Sequence, residues 1–209
     1  MIRIVTIERE FGSGGNVIAE KLAKRLGWQL WDQRFTDEIA RRMDCDPHTV
    51  EECEERRDPA YYRLFKAFMR GTFEGSLNAP RLKMVDTECV RQMTKQILLQ
   101  VAESGNCVVV GRGSAYHLGG RGDAFHAFVY APFEAKVRRL KLTGKNEEEA
   151  MKLADSVDRD RAAFIKSYFR LDWPERHRFH LMVNSSLGDE VAVDIVLGAM
   201  AGFEKQSSQ

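Results

Sequence analysis

The sequence predicts an α/β domain in which a parallel sheet is covered by helices on both faces, and three observations carry that prediction. Short apolar or β-branched runs alternate with stretches of helical periodicity along the chain. The first run, Ile2 to Ile7, leads through a glycine-rich turn into a helix. The 209 residues, 44% of them hydrophobic, suffice for one full core with a smaller region attached.

Each element follows from its pattern. "IRIVTI" suits a strand buried on both faces. Val17, Ile18, Leu22 and Leu26, with Ala19 and Ala23, recur at helical spacing up to Gly27, which can close the helix. "WQLWD" (28 to 32) reads as a second short strand with an acid at its end, and "RFTDEIARRM" as helical. From Asp44 to Pro80 the chain turns rich in charge and aromatics, with Pro47, Pro59 and Pro80 marking turns, and reads as a projecting helical insertion. Its Tyr61, Tyr62, Phe65 and Phe68 either pack the insertion onto the core or line a cleft. "TECVRQMTKQILLQVAESG" (87 to 105) is an amphipathic helix stopped by Gly105. "NCVVVGRG" (106 to 113) is a buried strand running into a second glycine turn, and "AFHAFVYAP" (124 to 132) another strand. Two helices broken at 143 to 146 follow, then a last strand at 179 to 186, a last helix, and a tail from Glu204 expected to fray.

Composition limits the function classes. With 32 basic and 31 acidic residues the net charge is +1, so no global field draws in nucleic acid or anionic lipid, and a basic site must be local. Cys45, Cys53, Cys89 and Cys107 form no CxxC pair, which favours a reducing cytoplasm over a disulfide framework or a metal site. Neither a membrane span of roughly 18 apolar residues nor a signal peptide is expected.

The chemistry concentrates at predicted strand ends, where ligands of parallel sheets bind. Gly12, Ser13, Gly14, Gly15 and Asn16 form a turn whose backbone N–H groups can face inward at a helix start, as phosphate binding needs. Laid on the signature G-x-x-x-x-G-K-[ST], Arg9 falls on the first glycine, Gly14 on the second, Gly15 on the lysine and Asn16 on the hydroxyl residue. The substitute cation would be Arg9, or else Arg138 or Arg139. Arg112, between two glycines, suits an anion grip, unless it is a surface arginine in a turn. Asp158, Arg159, Asp160 and Arg161 put charge on a late helix, where solvated pairs are the alternative.

The segments "TIEREFGSGGNVIAEKLAKRLG", "DTECVRQMTKQILLQVAESGNCVVVGRGSAYHL", "FVYAPFEAKVRRL", "DRDRAAFIKSYF" and "VNSSLGDEVAVDIV", in this order, resemble the cytidylate kinase-like family, and the lysine-free "REFGSGG" loop is part of that resemblance. The match spans nearly the whole chain and is weakest from 44 to 80. It implies a single domain over residues 1 to 209 with a three-layer P-loop NTPase fold, an acceptor-binding insertion, and an arginine-bearing lid at about 138 to 172. It further implies ATP as donor, magnesium as cofactor, and a nucleoside monophosphate, CMP or dCMP, as acceptor. Gly12 to Asn16 would wrap the donor phosphates, Arg112 hold the acceptor phosphate, and Arg159 and Arg161, with Asp158 and Asp160, reach across both. Magnesium would fall to Asp32, Glu8 or a water on Asn16. A nucleotide-binding protein without transferase activity, and a kinase of another small acceptor, are the alternatives. Met69, Phe73 and Met93 could form a homodimer contact or belong to the core.

Overall fold

Five parallel strands form the centre of the protein, lying side by side in the order Gln29–Trp31, Cys107–Val110, Ile4–Arg9, Ala124–Tyr130 and Leu181–Asn184. The computed structural model describes residues 1–32, 34, 35, 38, 41, 42 and 87–207. The insertion at 44 to 80, with its prolines, aromatics, Met69 and Phe73, lies outside the described residues. In chain order the elements are β1 (Ile4–Arg9), α1 (Gly15–Leu26), β2 (Gln29–Trp31), α2 (Thr87–Ser104), β3 (Cys107–Val110), α3 (Ser114–His117), β4 (Ala124–Tyr130), α4 (Phe133–Leu142), α5 (Glu147–Phe169), β5 (Leu181–Asn184) and α6 (Asp189–Ser207). Short 3₁₀ turns at Arg176–Arg178 and Ser185–Leu187 flank β5. The helical residues Arg34, Phe35, Glu38, Arg41 and Arg42 agree with the helix read from "RFTDEIARRM".

Alternation along the central strands explains why both faces are covered. Val5 and Ile7 of β1, with Val108 and Val110 of β3, pack under Ile18 and Leu22 of α1 and Val193 and Val196 of α6. Their neighbours Ile4, Cys107 and Val109 point the other way, onto Met93, Ile97, Leu98 and Val101 of α2. Each fully buried Val, Ile or Leu contributes about 1.5–3 kcal/mol, and β1 and β3, buried at every position, each supply three of them. Met93 is thereby a core residue on the α2 face. Burial also pushes the Cys107 thiol up to about 11, so this cysteine is a packing residue.

Two further clusters tie the later helices to the site. Phe11, just beyond β1, packs with Val137 and Leu140 of α4 and Ala150, Ala154 and Val157 of α5. Phe164 and Ile165 of α5 close over Ala115 and Tyr116 of α3. Asn146 and Glu149 form a capping box at the start of α5, which fixes where that helix begins after the break read at 143 to 146.

The structure departs from the sequence expectation in three places. The tail does not fray at Glu204: α6 continues to Ser207, and Ile2 N donates to Glu204 Oε1 at 2.6 Å. The last strand is shorter than expected, because the chain turns into 3₁₀ geometry at Ser185. The single turn of α3 was not foreseen, being too short to show a period. No helix among the described residues is long and apolar enough to cross a membrane.

Candidate functional site

Strand order places the site. The chain builds β2 and β3 on one side of β1 and β4 and β5 on the other, so the order reverses at β1 and a crevice opens beyond its carboxyl end. The glycine turn fills the base of that crevice. Gly12 and Gly14 take left-handed φ of 78° and 77°, and α1 begins at Gly15 with no side-chain cap and no acid in its first turn. A helix start without a side-chain cap or an acid in its first turn keeps its positive dipole end uncompensated by those groups, which suits an anion.

The outside of the turn is braced. Ser13 O accepts hydrogen bonds from Arg139 Nη1 and from Ser185 Oγ, the latter at 2.5 Å. Arg139 Nη2 also donates to Asp189 Oδ1 at 2.8 Å and Ser185 O at 3.3 Å. Arg139 therefore holds the turn by a carbonyl. Arg138, one position away, is exposed. A Cβ at Gly14 would lie 1.7 Å from Arg139 Nη1, so the brace also requires a glycine there.

Inside the turn stands Arg9, 3% exposed at the end of β1. Its Nε donates to Asn16 Oδ1 at 3.0 Å, and Asn16 Nδ2 donates in turn to Asp32 Oδ2 at 3.1 Å. Asp32 Oδ1 is buried with no hydrogen-bond partner among the described residues.

Arg112 follows β3. Gly111, Arg112 and Gly113 all adopt left-handed φ, between 62° and 66°. For a non-glycine residue that conformation is strained by about 1–3 kcal/mol and persists only where the surroundings enforce it. Arg112 is 1% exposed, so it is no surface turn residue, and its guanidinium carbon lies 5.5 Å from the centre of the Phe35 ring.

From α5, Arg161 donates to Arg9 O at 2.7 Å and to Asp158 Oδ1 at 3.2 Å. Asp158 also accepts from Phe11 N at 2.8 Å and Lys136 Nζ at 3.0 Å, and Lys136 reaches Glu10 at 3.2 Å. Arg159 does not join them: its side chain is 72% exposed and pairs with Asp155. Asp160 sits half-buried on the same helix.

Burial shifts the titratable groups of the crevice. Burial raises the Glu8 carboxyl above its ordinary range and outweighs the pull of Arg9 and Arg161, with Ser114 Oγ donating to Glu8 Oε1 at 3.4 Å. Burial likewise raises Asp32 against the opposing effect of Arg9, Arg112 and Arg161. Arg112 is lowered to about 10 by burial and by Arg9, with Asp32 and Glu8 acting against the fall, so it remains a cation at neutral pH.

Of the residues the sequence points to, Arg9, Arg112, Arg161, Asp158, Asp32, Asn16 and the glycines gather around one crevice, and Arg159 stands apart. Lys136, Glu10, Ser185 and Asp189 join them without a motif that marks them. Lys136 was detectable, since it lies one turn before Leu140 on the face of α4 that turns inward.

Comparison with known proteins agrees with this architecture. A model of the cytidylate kinase-like family matches residues 4–187. No curated protein matches the chain. Among solved structures, an uncharacterized protein from Eubacterium ventriosum ATCC 27560 aligns at a TM-score of 0.66 with 20% identity, covering 97% of this chain and 99% of that one. Shikimate kinase from Bacteroides thetaiotaomicron aligns at 0.51 with 15% identity, covering 98% and 99% of the two chains. Shikimate kinase from Acinetobacter baumannii, in complex with shikimate, aligns at 0.51 with 14% identity, covering 100% and 97%. At these identities the likeness shows the fold, the parallel sheet flanked by helices of the P-loop kinases.

Proposed function

The chain belongs to the cytidylate kinase-like family, and from that premise we propose that it transfers the γ-phosphoryl group of ATP to a nucleoside monophosphate, with CMP or dCMP as the acceptor. The observation that carries this reading is the meeting of an uncapped glycine-loop helix start with three buried arginines, Arg9, Arg112 and Arg161, in one crevice. Phosphoryl transfer asks a protein mainly for positioning and for neutralisation of charge on the phosphates, and these are the groups such work requires.

The turn from Gly12 to Asn16 wraps the donor phosphates through the backbone N–H groups of Gly14 and Gly15 at the start of α1, the Ser13 N–H being held by Glu10 O and the Ser13 carbonyl by Arg139 and Ser185. Arg112 grips the acceptor phosphate. Arg161, tied to the end of β1 through Arg9 O, adds positive charge between the two. An oxygen of the acceptor phosphate forms the new bond to the γ-phosphorus as the bond to the β–γ bridging oxygen breaks, and ADP leaves with that electron pair. At neutral pH the attacking phosphate oxygen carries no proton, so no general base is needed.

Asp32 fits a magnesium ion, since its buried Oδ1 lacks a partner among the described residues and magnesium takes one or two carboxylates beside substrate phosphates. Glu8, once ionised, is the second candidate. Bound there, the ion would supply charge neutralisation across the donor phosphates.

Arg112→Ala tests the assignment. Transfer from ATP to CMP should fall about 10²- to 10³-fold, as for removal of one charge-stabilising group, with the KM for CMP raised and the KM for ATP little changed. A variant that phosphorylates CMP at the wild-type rate would overturn the role given to Arg112.

A further inference from the structure

Arg9 runs through a slot made by two glycines. A Cβ built at Gly15 would lie 2.6 Å from Arg9 Cβ and 2.8 Å from Arg9 Cγ, and one built at Gly111 would lie 2.0 Å from Arg9 Nη1. Separations below about 3.0 Å are not found for real Cβ atoms, and at Gly15 the obstacle is the root of the Arg9 side chain, which cannot swing aside. Gly15 is the position of the lysine in the usual phosphate-loop signature, and Arg9 is the position of its first glycine. A lysine at 15 and an arginine at 9 therefore exclude each other. The third departure completes the set: Asn16, at the hydroxyl position, accepts from Arg9 Nε and passes the connection on to Asp32.

We infer that Arg9 and Gly15 have exchanged duties, so that the donor-phosphate cation enters from the end of β1 and the space of the loop lysine is given up to let it pass. Asn16 acts as the positioning residue of this arrangement. Its amide fixes one edge of the guanidinium and orients the Asp32 carboxylate, which a hydroxyl could not do at both ends because it is too short. A guanidinium suits the role better than an ammonium, since its planar fork can keep Nε on Asn16 while other N–H groups of the same rigid plane serve an anion. The identity of the anion, the β and γ phosphates of ATP, rests on the phosphoryl-transfer reading. The steric exchange rests on the geometry alone.

Two measurements on the full chain separate these parts. In the first, Gly15→Ala is made in the wild-type and in an Arg9→Gly background, which removes the Cβ that a side chain at 15 would strike, and Tm is read for all four proteins. Gly15→Ala should lower Tm strongly when Arg9 is present and leave it unchanged or raised when Arg9 is absent, because Ala is a better helix former than Gly. Equal shifts in both backgrounds would overturn the exchange. In the second, calorimetry reads the affinity for ATP with magnesium and for inorganic tripolyphosphate. Arg9→Gln should weaken both ligands at least about tenfold, with Arg9→Lys retaining part of the binding, and Arg9→Gly/Gly15→Lys should recover affinity lost in Arg9→Gly alone. Unchanged binding by Arg9→Gln, in a protein with wild-type circular dichroism, would overturn the inference. If Arg9→Gln loses ATP while the wild type phosphorylates no acceptor, the inference stands and the phosphoryl-transfer reading fails. If the wild type and Arg9→Gln transfer equally well, the reverse holds.

Discussion

His126 shows how a single side chain behind the site links the sheet to pH. It is 2% exposed in β4, stands in register with Thr6 of β1, and brings Nδ1 to 2.7 Å from the Thr6 hydroxyl. Burial first, then the neighbouring His180 and Arg178, hold its imidazole down to about 4. His180, stacked on it with ring centres 5.2 Å apart, is also lowered by burial. The unfolded chain protonates His126 near 6.5, so its contribution to stability is complete above that pH, shrinks as pH falls, and is lost below about 4. The difference corresponds to about 3 kcal/mol. Urea unfolding of the wild type between pH 7 and 4 should show this loss, and His126→Gln should show a correspondingly flatter dependence. Parallel curves for the two proteins would contradict it.

At the scale of elements, α4 and α5 are fastened to the loop after β1 through one carboxylate. Asp158 accepts from Phe11 N, Lys136 and Arg161, while the apolar contacts of Phe11 with Val137, Leu140 and Val157 surround the group. Burial works against the Lys136 ammonium, but Asp158 and Glu10 outweigh it and raise its pKa. Asp158→Ala would leave Lys136 with Glu10 and remove the carboxylate partner of Arg161, at a loss of about 3–5 kcal/mol by chemical denaturation. A change below about 1 kcal/mol would show that the apolar contacts alone hold the helices. Part of this docking could be read from the sequence. Ala154, Val157 and Arg161 follow one another at helical spacing, so Arg161 shares the buried face of α5, whereas Arg159 falls outside that stripe. The two arginines of "DRDR" are therefore distinguishable by their spacing from Ala154 and Val157. The brace by Arg139 could not be read in this way. It joins Ser13, Ser185 and Asp189, which lie far apart in the chain, and depends on how α4 and α6 sit on the loop.

Over the whole molecule, a chain of net charge +1 brings three buried arginines, Arg9, Arg112 and Arg161, to one end of its sheet beside the carboxyls of Glu8 and Asp32. The strands themselves were legible because β1, β3 and β4 are buried on both faces and read as continuous apolar runs, and the glycine turns were legible because left-handed φ at Gly12, Gly14 and Gly111 leaves little choice of residue. Burial of Arg112 was not legible, since an arginine between two glycines looks like any exposed turn until the Phe35 ring and the strand ends close around it. That burial brings Arg112 beside Arg9 and Arg161, the three arginines on which the proposed phosphate site rests. The most direct test is incubation of the protein with ATP, magnesium and each common nucleoside monophosphate, with the products separated and quantified. The account predicts CDP and ADP in equal amounts when CMP is the acceptor. ATP bound by the protein, yet no nucleoside diphosphate formed from any acceptor, would contradict it.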